Sequence, residues 1–486
     1  MVEKRIQNTA IDISPNENLE VEGVGEEIQL REPENTTKEV EVIQEEDGGV
    51  TLDYDPNQKQ SEGDYFANLA EFMSDDLLQK LSSDLQKNFE DDKNSRSDWE
   101  KTYKDGLDLL GFKYEERSKP FAGAAGVTHP LLAEAVTQFQ AQAYKELLPP
   151  GGPVRTEILG APTMETEQQA ERVKGFMNYQ ITTEMQEFDP ELDQMLFHLP
   201  LAGSAFKKVY YDSNLERAVS KFVPAEDLVV PYFITDLESC NRITHVVKMK
   251  HNDLRKNQVS GFYRDVDVSG GSVNTDEIKD KQDELSGVEQ VNFAEDEHNI
   301  LEMHVDLDLP GFEDMGANNQ KTGIMVPYIV TIDEDSGEVL SIYRNWNQGD
   351  PIRKKKEYFT HFKFLPGLGF YGFGLIHMLG GLSRTATAAL RQLVDAGTLS
   401  NLPAGFKARG LRIRDDDEAI SPGEWRDVDA PGGNLRESLM PLPYKEPSGT
   451  LFQLLGFVVD AGRRFAGVAD MMMGENAGSQ QQPVGT

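Results

Sequence analysis

Two apolar stretches with helical spacing, 383–399 and 451–473, lie on either side of a short segment rich in glycine and proline near the end of the chain. The first stretch is rich in alanine, and small side chains let a neighbouring helix approach closely. Ser383 or Thr385 can cap it, and Leu402-Pro403 ends it. In the second stretch, which Ser448 or Thr450 can cap, apolar residues recur every three or four positions, which is typical of one helix face. This apolar stripe consists of Leu451, Leu454, Leu455, Val458, Val459, Phe465 and Val468. Because neither helix can bury its apolar face alone, we expect the two to pack on each other and on further copies of the chain.

The charge of the chain limits what it can bind. The 486 residues include 84 acidic and 48 basic side chains, a formal net charge of -36. Tight binding of nucleic acid needs clustered Lys and Arg, so this composition disfavours it. DNA that the protein merely surrounded would be repelled by the acidic surface and not held.

The single cysteine, Cys240, excludes an intramolecular disulfide framework and a cysteine-rich zinc site, and it fits a reducing compartment. The first residues contain no apolar core of signal-peptide length. Apolar runs fall short of the roughly 18 residues that a membrane-spanning helix needs. We therefore expect a soluble protein, made inside a cell, with no membrane association.

The N-terminal part divides into a polar tail and a helical region. Residues 1–64 carry 18 acidic and five basic side chains, which predicts a mostly disordered tail with short strands at 39–43 and 50–53. Helical spacing begins near residue 65 and resumes after a polar break at 91–97. Three later helices are predicted at 130–148, 164–186 and 190–202.

After Gly203 the pattern changes to short β-rich runs separated by turn residues. The predicted strands are Phe206–Tyr211, Ala218–Val223, Ile243–Met249, Ile300–Leu307, Val326–Ile332 and Val339–Trp346. The turn at 333–337 predicts a hairpin between the last two. The acidic stretch 264–298 is predicted to be a flexible surface insertion, and six glycines between 367 and 381 predict an ordered but strained connector.

The sequence shows no arrangement typical of an active site. Residues 367–372 match the spacing G-x-G-x-x-G but lack the strand–helix context of a dinucleotide site. His298, Glu302 and His304 share one face of a predicted strand, where a solvated face is favoured over a metal site. The adjacent acids Asp415–Glu418 cannot all reach one cation and predict an exposed turn. We therefore expect no enzyme activity, no cofactor and no metal.

Two basic clusters are candidate contact surfaces. Residues 353–356 lie beside a strand, where lysines commonly protect a sheet edge. The second cluster shares a face if its segment is a single strand, and that face would meet a protein partner or the DNA backbone. It consists of Lys407, Arg409, Arg412 and Arg414.

The stretch from Trp99 to Val154 contains KPFAGAAGVTHPLLAEAVTQFQAQAYKELLPPGGPV at 119–154. From residue 357 onward, the predicted elements are, in order, an aromatic β run, a Gly-rich connector, a helix, a small β module, a long helix and a polar loop. The first stretch resembles the wing-domain entry of the portal, or head-to-tail connector, proteins of tailed bacteriophages, and the order of elements resembles that of the same proteins. The resemblance covers residues 65–486.

The resemblance implies an α+β fold, an elongated portal-type subunit with a helical and β wing, a two-helix stem and a small α/β clip, assembling into a ring. The implied parts are the tail 1–64; the wing 65–382, composed of helical 65–202, β-rich 203–364 with the insertion 264–298, and connector 365–382; a stem helix 383–402; the clip 403–447; a stem helix 448–473; and the start of a tunnel loop, 474–486.

The resemblance also implies a function, that of a twelve-subunit ring at one capsid vertex. Double-stranded DNA would pass through the ring, without tight binding, during packaging and ejection. The clip would dock the large terminase subunit and later a tail or adaptor protein, and capsid and scaffold proteins would contact the ring. The implied docking residues are Lys407, Arg409, Arg412 and Arg414, and the implied loop residues near DNA are Gln480, Gln481 and Gln482. The implied location is the virion, after assembly in the host cytoplasm.

The sequence departs from the family pattern at its end. Portals of this kind continue past the tunnel loop into a further wing helix and often a crown, so we expect either a fragment or loss of the returning helix. Two alternatives stay open. One is another virion structural protein, although scaffolds lack a β-rich block such as 204–346. The other is a metal-dependent hydrolase of unrecognised fold that uses Asp415–Glu418.

Overall fold

The computed structural model describes residues 41–44, 50–53, 65–121, 123–212, 215–268, 277–288, 297–315, 320–401, 405–407, 412–413, 428–429, 439–441 and 445–472. The chain divides into two compact units, Met1–Ser61 and Glu62–Thr486. The first unit contains β1 (Glu41–Gln44) and β2 (Val50–Asp53), which pair antiparallel. The two short strands predicted in the N-terminal tail are thereby confirmed.

The second unit is a mixed α+β structure, as predicted. Its described helices are α1 (Asp75–Ser95), α2 (Ser97–Leu107), α3 (Leu131–Leu147), α4 (Met164–Tyr179), α5 (Phe188–Ala202), α6 (His251–Val259), α7 (Glu277–Ser286), α8 (Leu375–Asn401) and α9 (Gly449–Met472). Within the part of the chain that the structure describes, none of the helices is long and apolar enough to cross a bilayer.

The described strands of this unit form two larger antiparallel sheets and two small two-stranded ones. They are β3 (Ser204–Asp212), β4 (Arg217–Pro224), β5 (Leu228–Val229), β6 (Arg242–Lys250), β7 (Glu297–Leu307), β8 (Val326–Asp333), β9 (Val339–Arg344), β10 (Phe359–Lys363), β11 (Gly405–Lys407), β12 (Arg412–Ile413), β13 (Val428–Asp429) and β14 (Leu439–Pro441). The sheet orders are β10-β3-β4, β5-β6-β7-β8-β9, β11-β14 and β12-β13. All six strands predicted after Gly203 are confirmed.

Helix α1 covers one face of the five-stranded sheet with Leu78, Leu85 and Phe89. The β8–β9 hairpin, predicted from its turn, is held against the same helix. Ser82 Oγ donates to the Gly337 carbonyl at 2.6 Å, and Gln86 Nε2 donates to the Glu334 carbonyl at 2.9 Å. Both bonds satisfy turn carbonyls that would otherwise face the sheet–helix interface.

Side chains close two edges of these sheets. Asn68 is fully buried; its amide donates to the Leu340 carbonyl at 3.1 Å and accepts from the Ile342 N–H at 3.0 Å, so it occupies the place of a neighbouring strand beside β9. On β4, the Phe222 N–H donates to the Glu191 carboxylate at 2.7 Å. Closed edges cannot pair with strands of other molecules.

Arg96, at the junction of α1 and α2, joins the helices to the turn between β4 and β5, and so to both larger sheets. Its guanidinium is buried and donates to the carbonyls of Ala225 at 3.0 Å and Leu228 at 2.8 Å. It also donates to the Glu100 carboxylate at 2.8 Å and the Tyr371 hydroxyl at 2.9 Å. The five donors of a guanidinium suit such a cluster of acceptors.

The polar break predicted at 91–97 is confined to Arg96, because α1 continues to Ser95 and α2 starts at Ser97. Asp92 explains the polar composition. Its carboxylate is buried and accepts two hydrogen bonds from Arg242 of β6, at 2.8 and 2.9 Å. A buried position of this helix is therefore filled by a charged residue whose partner is 150 residues away in the chain.

The prediction of a flexible insertion at 264–298 was also wrong for its described part. Helix α7 lies within it and buries Ile278 in the core formed by α2, α3 and α8. Ion pairs fix its first two turns to α2 and the residue after α2: Lys104–Glu277 at 2.6 Å and Lys281–Asp108 at 2.7 Å. Composition alone suggested a loop because α7 offers only a narrow apolar face.

The Gly-rich connector differs from the prediction in two ways. Helix α8 begins at Leu375, so Gly380 and Gly381 lie inside it, and Ser383 is buried in the helix and is not its cap. The glycines outside the helix serve close approach: a Cβ on Gly374 would lie 2.3 Å from the Leu201 carbonyl oxygen. Glycine is needed here because two backbones touch.

Candidate functional site

The two helices that bracket the β module, α8 and α9, pack antiparallel. At one end, Gly397 of α8 lies beside Pro447, just before α9. At the other end, Ala466 of α9 packs on the core that contains Leu379 of α8. The Leu451 N–H donates to Ser448 Oγ at 3.4 Å, so Ser448 caps α9 as the sequence predicts.

The segment before α3 and the start of α3 support both helices. Residues of α8 bind its backbone: Asp395 accepts from the Ala125 N–H at 2.7 Å, and Arg391 donates to the Val127 carbonyl at 2.8 Å. Leu131 packs so closely on Gly462 of α9 that an added Cβ would lie 2.5 Å from it. These contacts fix the position of the helix pair on the rest of the unit.

The outer side of α9 carries an exposed apolar face. Phe457 is 72 % exposed, Phe465 51 % and Leu454 46 %, and Phe452 on the flank is 69 % exposed. Of the α9 residues whose burial the structure describes, only Val458 and Gly462 are buried. Exposed apolar residues in this number mark an interaction site in a protein that is otherwise strongly charged.

Sequence reasoning missed part of this face. The predicted apolar stripe of the second helix contains Leu454 and Phe465 but omits Phe452 and Phe457. Those two phenylalanines make α9 apolar around much of its circumference. A helix that is apolar around much of its circumference must be buried on several sides. The positions of Phe452 and Phe457 were therefore the sequence signal for this face.

The basic cluster predicted between the helices does not lie on one strand. Lys407 belongs to β11, which pairs with β14, whereas Arg412 belongs to β12, which pairs with β13. The condition for a shared basic face, a single strand, is therefore not met for this pair. Arg409 and Arg414 lie outside the described residues, as do Asp415–Glu418 and the loop residues Gln480, Gln481 and Gln482.

The predicted solvated face of β7 is buried. His298 is fully buried, with Nδ1 3.3 Å from the buried Asp333 carboxylate and Nε2 3.0 Å from Nδ1 of His251. Glu302 accepts from Lys208 at 2.6 Å and lies 2.8 Å from His304 Nε2. The described residues contain no group of three or more His, Cys, Asp or Glu side chains arranged to hold a metal ion.

The Lys208–Glu302 pair connects the two larger sheets, because Lys208 is on β3 and Glu302 is on β7. Burial alone would raise the pKa of Glu302, but Lys208 and His304 hold it well below its usual range. These contacts give the charged groups on this face a role in the fold. They leave no free acid or base of this group poised for chemistry.

The basic run 353–356 takes part in the fold as well. Lys355 donates to the carbonyls of Leu237 at 2.8 Å and Cys240 at 2.7 Å, and Arg353 forms an ion pair with Asp314. Lys355 and Arg353 are thus held in contacts within the chain, and the predicted role in protecting a sheet edge does not apply to them.

Two histidines make the fold sensitive to acid. Burial, with Lys208 nearby, lowers the pKa of His245 to about 3, and burial next to Lys363 lowers the pKa of His361 to about 3. In the unfolded chain both titrate near pH 6.5, so below that pH the unfolded state binds more protons. We expect the free energy of unfolding to fall by about 1.4 kcal/mol per pH unit for each histidine between pH 6.5 and 3.

Urea unfolding between pH 7.5 and 5 measures this slope. His245→Phe is expected to remove the share of one histidine, while Lys248→Gln, an exposed change on the same strand, leaves the slope as it is. An identical slope for the wild-type chain and His245→Phe would show that His245 is not held neutral in the folded state.

No protein-family model matches the sequence, and a comparison with curated proteins gives no match. The observations available for a candidate function are therefore the paired helices and the exposed apolar face of α9.

Proposed function

We propose that this chain is the subunit of a portal ring, which forms the channel for double-stranded DNA at one capsid vertex. The exposed apolar face of α9 is the observation that carries this function. The antiparallel pair α8 and α9 corresponds to the two stem helices, and the small sheets β11–β14 and β12–β13 between them correspond to the clip.

Association of copies is the simplest way to cover this face. Phe452, Leu454, Phe457 and Phe465 lie outside the core of their own chain. If the covering surface is a different part of the next copy, the contact is head-to-tail, and repetition closes a ring when the rotation allows. A two-fold contact of α9 with itself would instead stop at a dimer.

The charge of the chain suits a channel in which DNA moves. With a net charge of -36, the ring would repel the phosphate backbone and would not bind it tightly. No cofactor, metal or catalytic residue is needed for this role, and the energy for DNA movement would come from the docked terminase.

The clip is the proposed docking surface for the large terminase subunit and then for a tail or adaptor protein. Lys407 and Arg412, with Arg409 and Arg414, would supply its basic character, and Gln480, Gln481 and Gln482 would approach the DNA. Capsid and scaffold proteins would contact the outer part of the ring. In the virion the ring would occupy the vertex from which DNA is ejected.

A packaging assay tests this function. Procapsids assembled from the capsid, scaffold and terminase proteins of the same virus, with and without this chain, are incubated with DNA and ATP and then treated with nuclease. We expect DNA to be protected only when the chain is present. Equal protection in its absence would refute the proposal.

A further inference from the structure

Helix α4 is a second surface that its own chain leaves uncovered. None of its 16 residues is buried, although it carries Phe176, 60 % exposed, and Val173, 44 % exposed. An isolated helix of this length is only marginally stable in water. The amide of Asn178, which exchanges two hydrogen bonds with the backbone of Val154, and a capping box at Thr163 hold it in place.

We infer that α4 of one copy packs antiparallel on α9 of the neighbouring copy. This contact rests on the proposed ring and identifies the two surfaces through which each copy meets its neighbours. Each helix exposes apolar side chains that the other would bury. Because the two surfaces differ, the contact is heterologous, and each copy offers one helix on each side.

The spacing of the exposed residues supports the antiparallel direction. On α4, Phe176, Val173 and Glu165 share one face, with Val173 about 4.5 Å and Glu165 about 16.5 Å along the axis from Phe176. On α9, Leu454, Phe457 and Arg464 share one face. Phe457 lies about 4.5 Å and Arg464 about 15 Å beyond Leu454 toward the C-terminus, whereas the α4 residues lie before Phe176, toward the N-terminus. Two apolar contacts and one ion pair therefore align together.

Charge complementarity favours this pairing. Glu165 and Arg464 are both exposed, and neither has an ion-pair partner among the described side chains of its own chain. In the antiparallel alignment the carboxylate of one meets the guanidinium of the other. A parallel arrangement would place Arg464 opposite the apolar end of α4 and leave both charges unpaired.

Cysteine crosslinking between two different full-length chains tests the contact. One chain carries Val173→Cys and the other Phe457→Cys, and the two are co-expressed and treated with a short bis-maleimide. The native thiol does not interfere, because Cys240 is buried and burial raises its pKa to about 11. We expect a covalent dimer from the mixture and none from either chain alone.

A matched control replaces Phe457→Cys with Tyr232→Cys. Tyr232 is 81 % exposed on the loop between β5 and β6, and this variant is expected to give no dimer. Rings that form without the Val173–Phe457 crosslink would overturn this contact and leave the proposed function standing. A chain that stays monomeric and does not crosslink would overturn both.

Exchange of the two charges is a second, independent test. Glu165→Arg or Arg464→Glu alone is expected to slow crosslinking about threefold at low ionic strength, the range of an exposed ion pair. Combining both substitutions is expected to restore the rate. A double variant as slow as the single ones would contradict the pairing of Glu165 with Arg464.

Discussion

Arg96→Ala is expected to lower the free energy of unfolding by about 4 kcal/mol, the range found when one partner of a buried charged network is removed. The guanidinium is buried and donates to three carbonyls in the 225–228 turn. It also lies over the rings of Trp99 and Tyr371, at 5.6 and 5.9 Å from their centroids. Alanine would remove the guanidinium donor from all three carbonyls, of which the Leu228 carbonyl would keep its bond from the Tyr371 hydroxyl, and would leave the stacked rings without their cation.

Chemical denaturation followed by tryptophan fluorescence measures this change, because Trp99 is part of the cluster. Lys101→Ala is the matched control, since Lys101 is exposed on the same helix and is expected to change stability by less than about 0.5 kcal/mol. A loss below about 1 kcal/mol for Arg96→Ala would show that water replaces the guanidinium and that the cluster does not join α2 to the sheet.

Phe457→Glu is expected to weaken association of the copies at least a hundredfold while the chain stays folded. Phe457 is 72 % exposed in the single copy, so the folded subunit tolerates the change. In the assembly the same position would bury a carboxylate among apolar side chains, which is strongly unfavourable. Analytical ultracentrifugation over a range of concentrations reports the association, and circular dichroism reports the fold.

Phe233→Glu provides the comparison, because Phe233 is 77 % exposed on the loop between β5 and β6, away from the helix pair. We expect this variant to assemble as the wild-type chain does. If Phe457→Glu assembles equally well, the face of α9 does not contact another copy.

The elements that the sequence predicted well are those whose pattern is local. Alternation of apolar and polar residues marked the strands of 204–346, and the turn at 333–337 marked the β8–β9 hairpin. Leu402 and Pro403 marked the end of α8, which the structure places at Asn401. These signals are carried by neighbouring residues and do not depend on distant contacts.

The elements that the sequence missed depend on contacts far along the chain. The end of α1 looks like a polar loop because its buried residue, Asp92, is satisfied by Arg242. Helix α7 looks like an insertion because most of it is polar, and only Ile278 and the partly buried Leu285 pack on the core that includes α2. In each case a tertiary contact overrides the local composition.

The candidate site could be predicted from the sequence only in part, for a related reason. Helical spacing predicts that α9 exists and that it has an apolar stripe, but a stripe that packs inside one chain and a stripe that packs between chains have the same sequence pattern. The exposure of Phe457 and Phe176 in the folded chain separates the two cases. For the basic cluster around Lys407 and Arg412, the spacing is compatible with one strand, but the two residues belong to two different sheets. Local spacing does not decide how short strands pair.

Native mass spectrometry of the full-length protein at micromolar concentration tests the central claim, closure into a ring, most directly. We expect one dominant species with the mass of about twelve chains, and a ring with a central opening when the same sample is imaged in negative stain. A folded monomer, or a dimer that does not grow with concentration, would contradict the proposal.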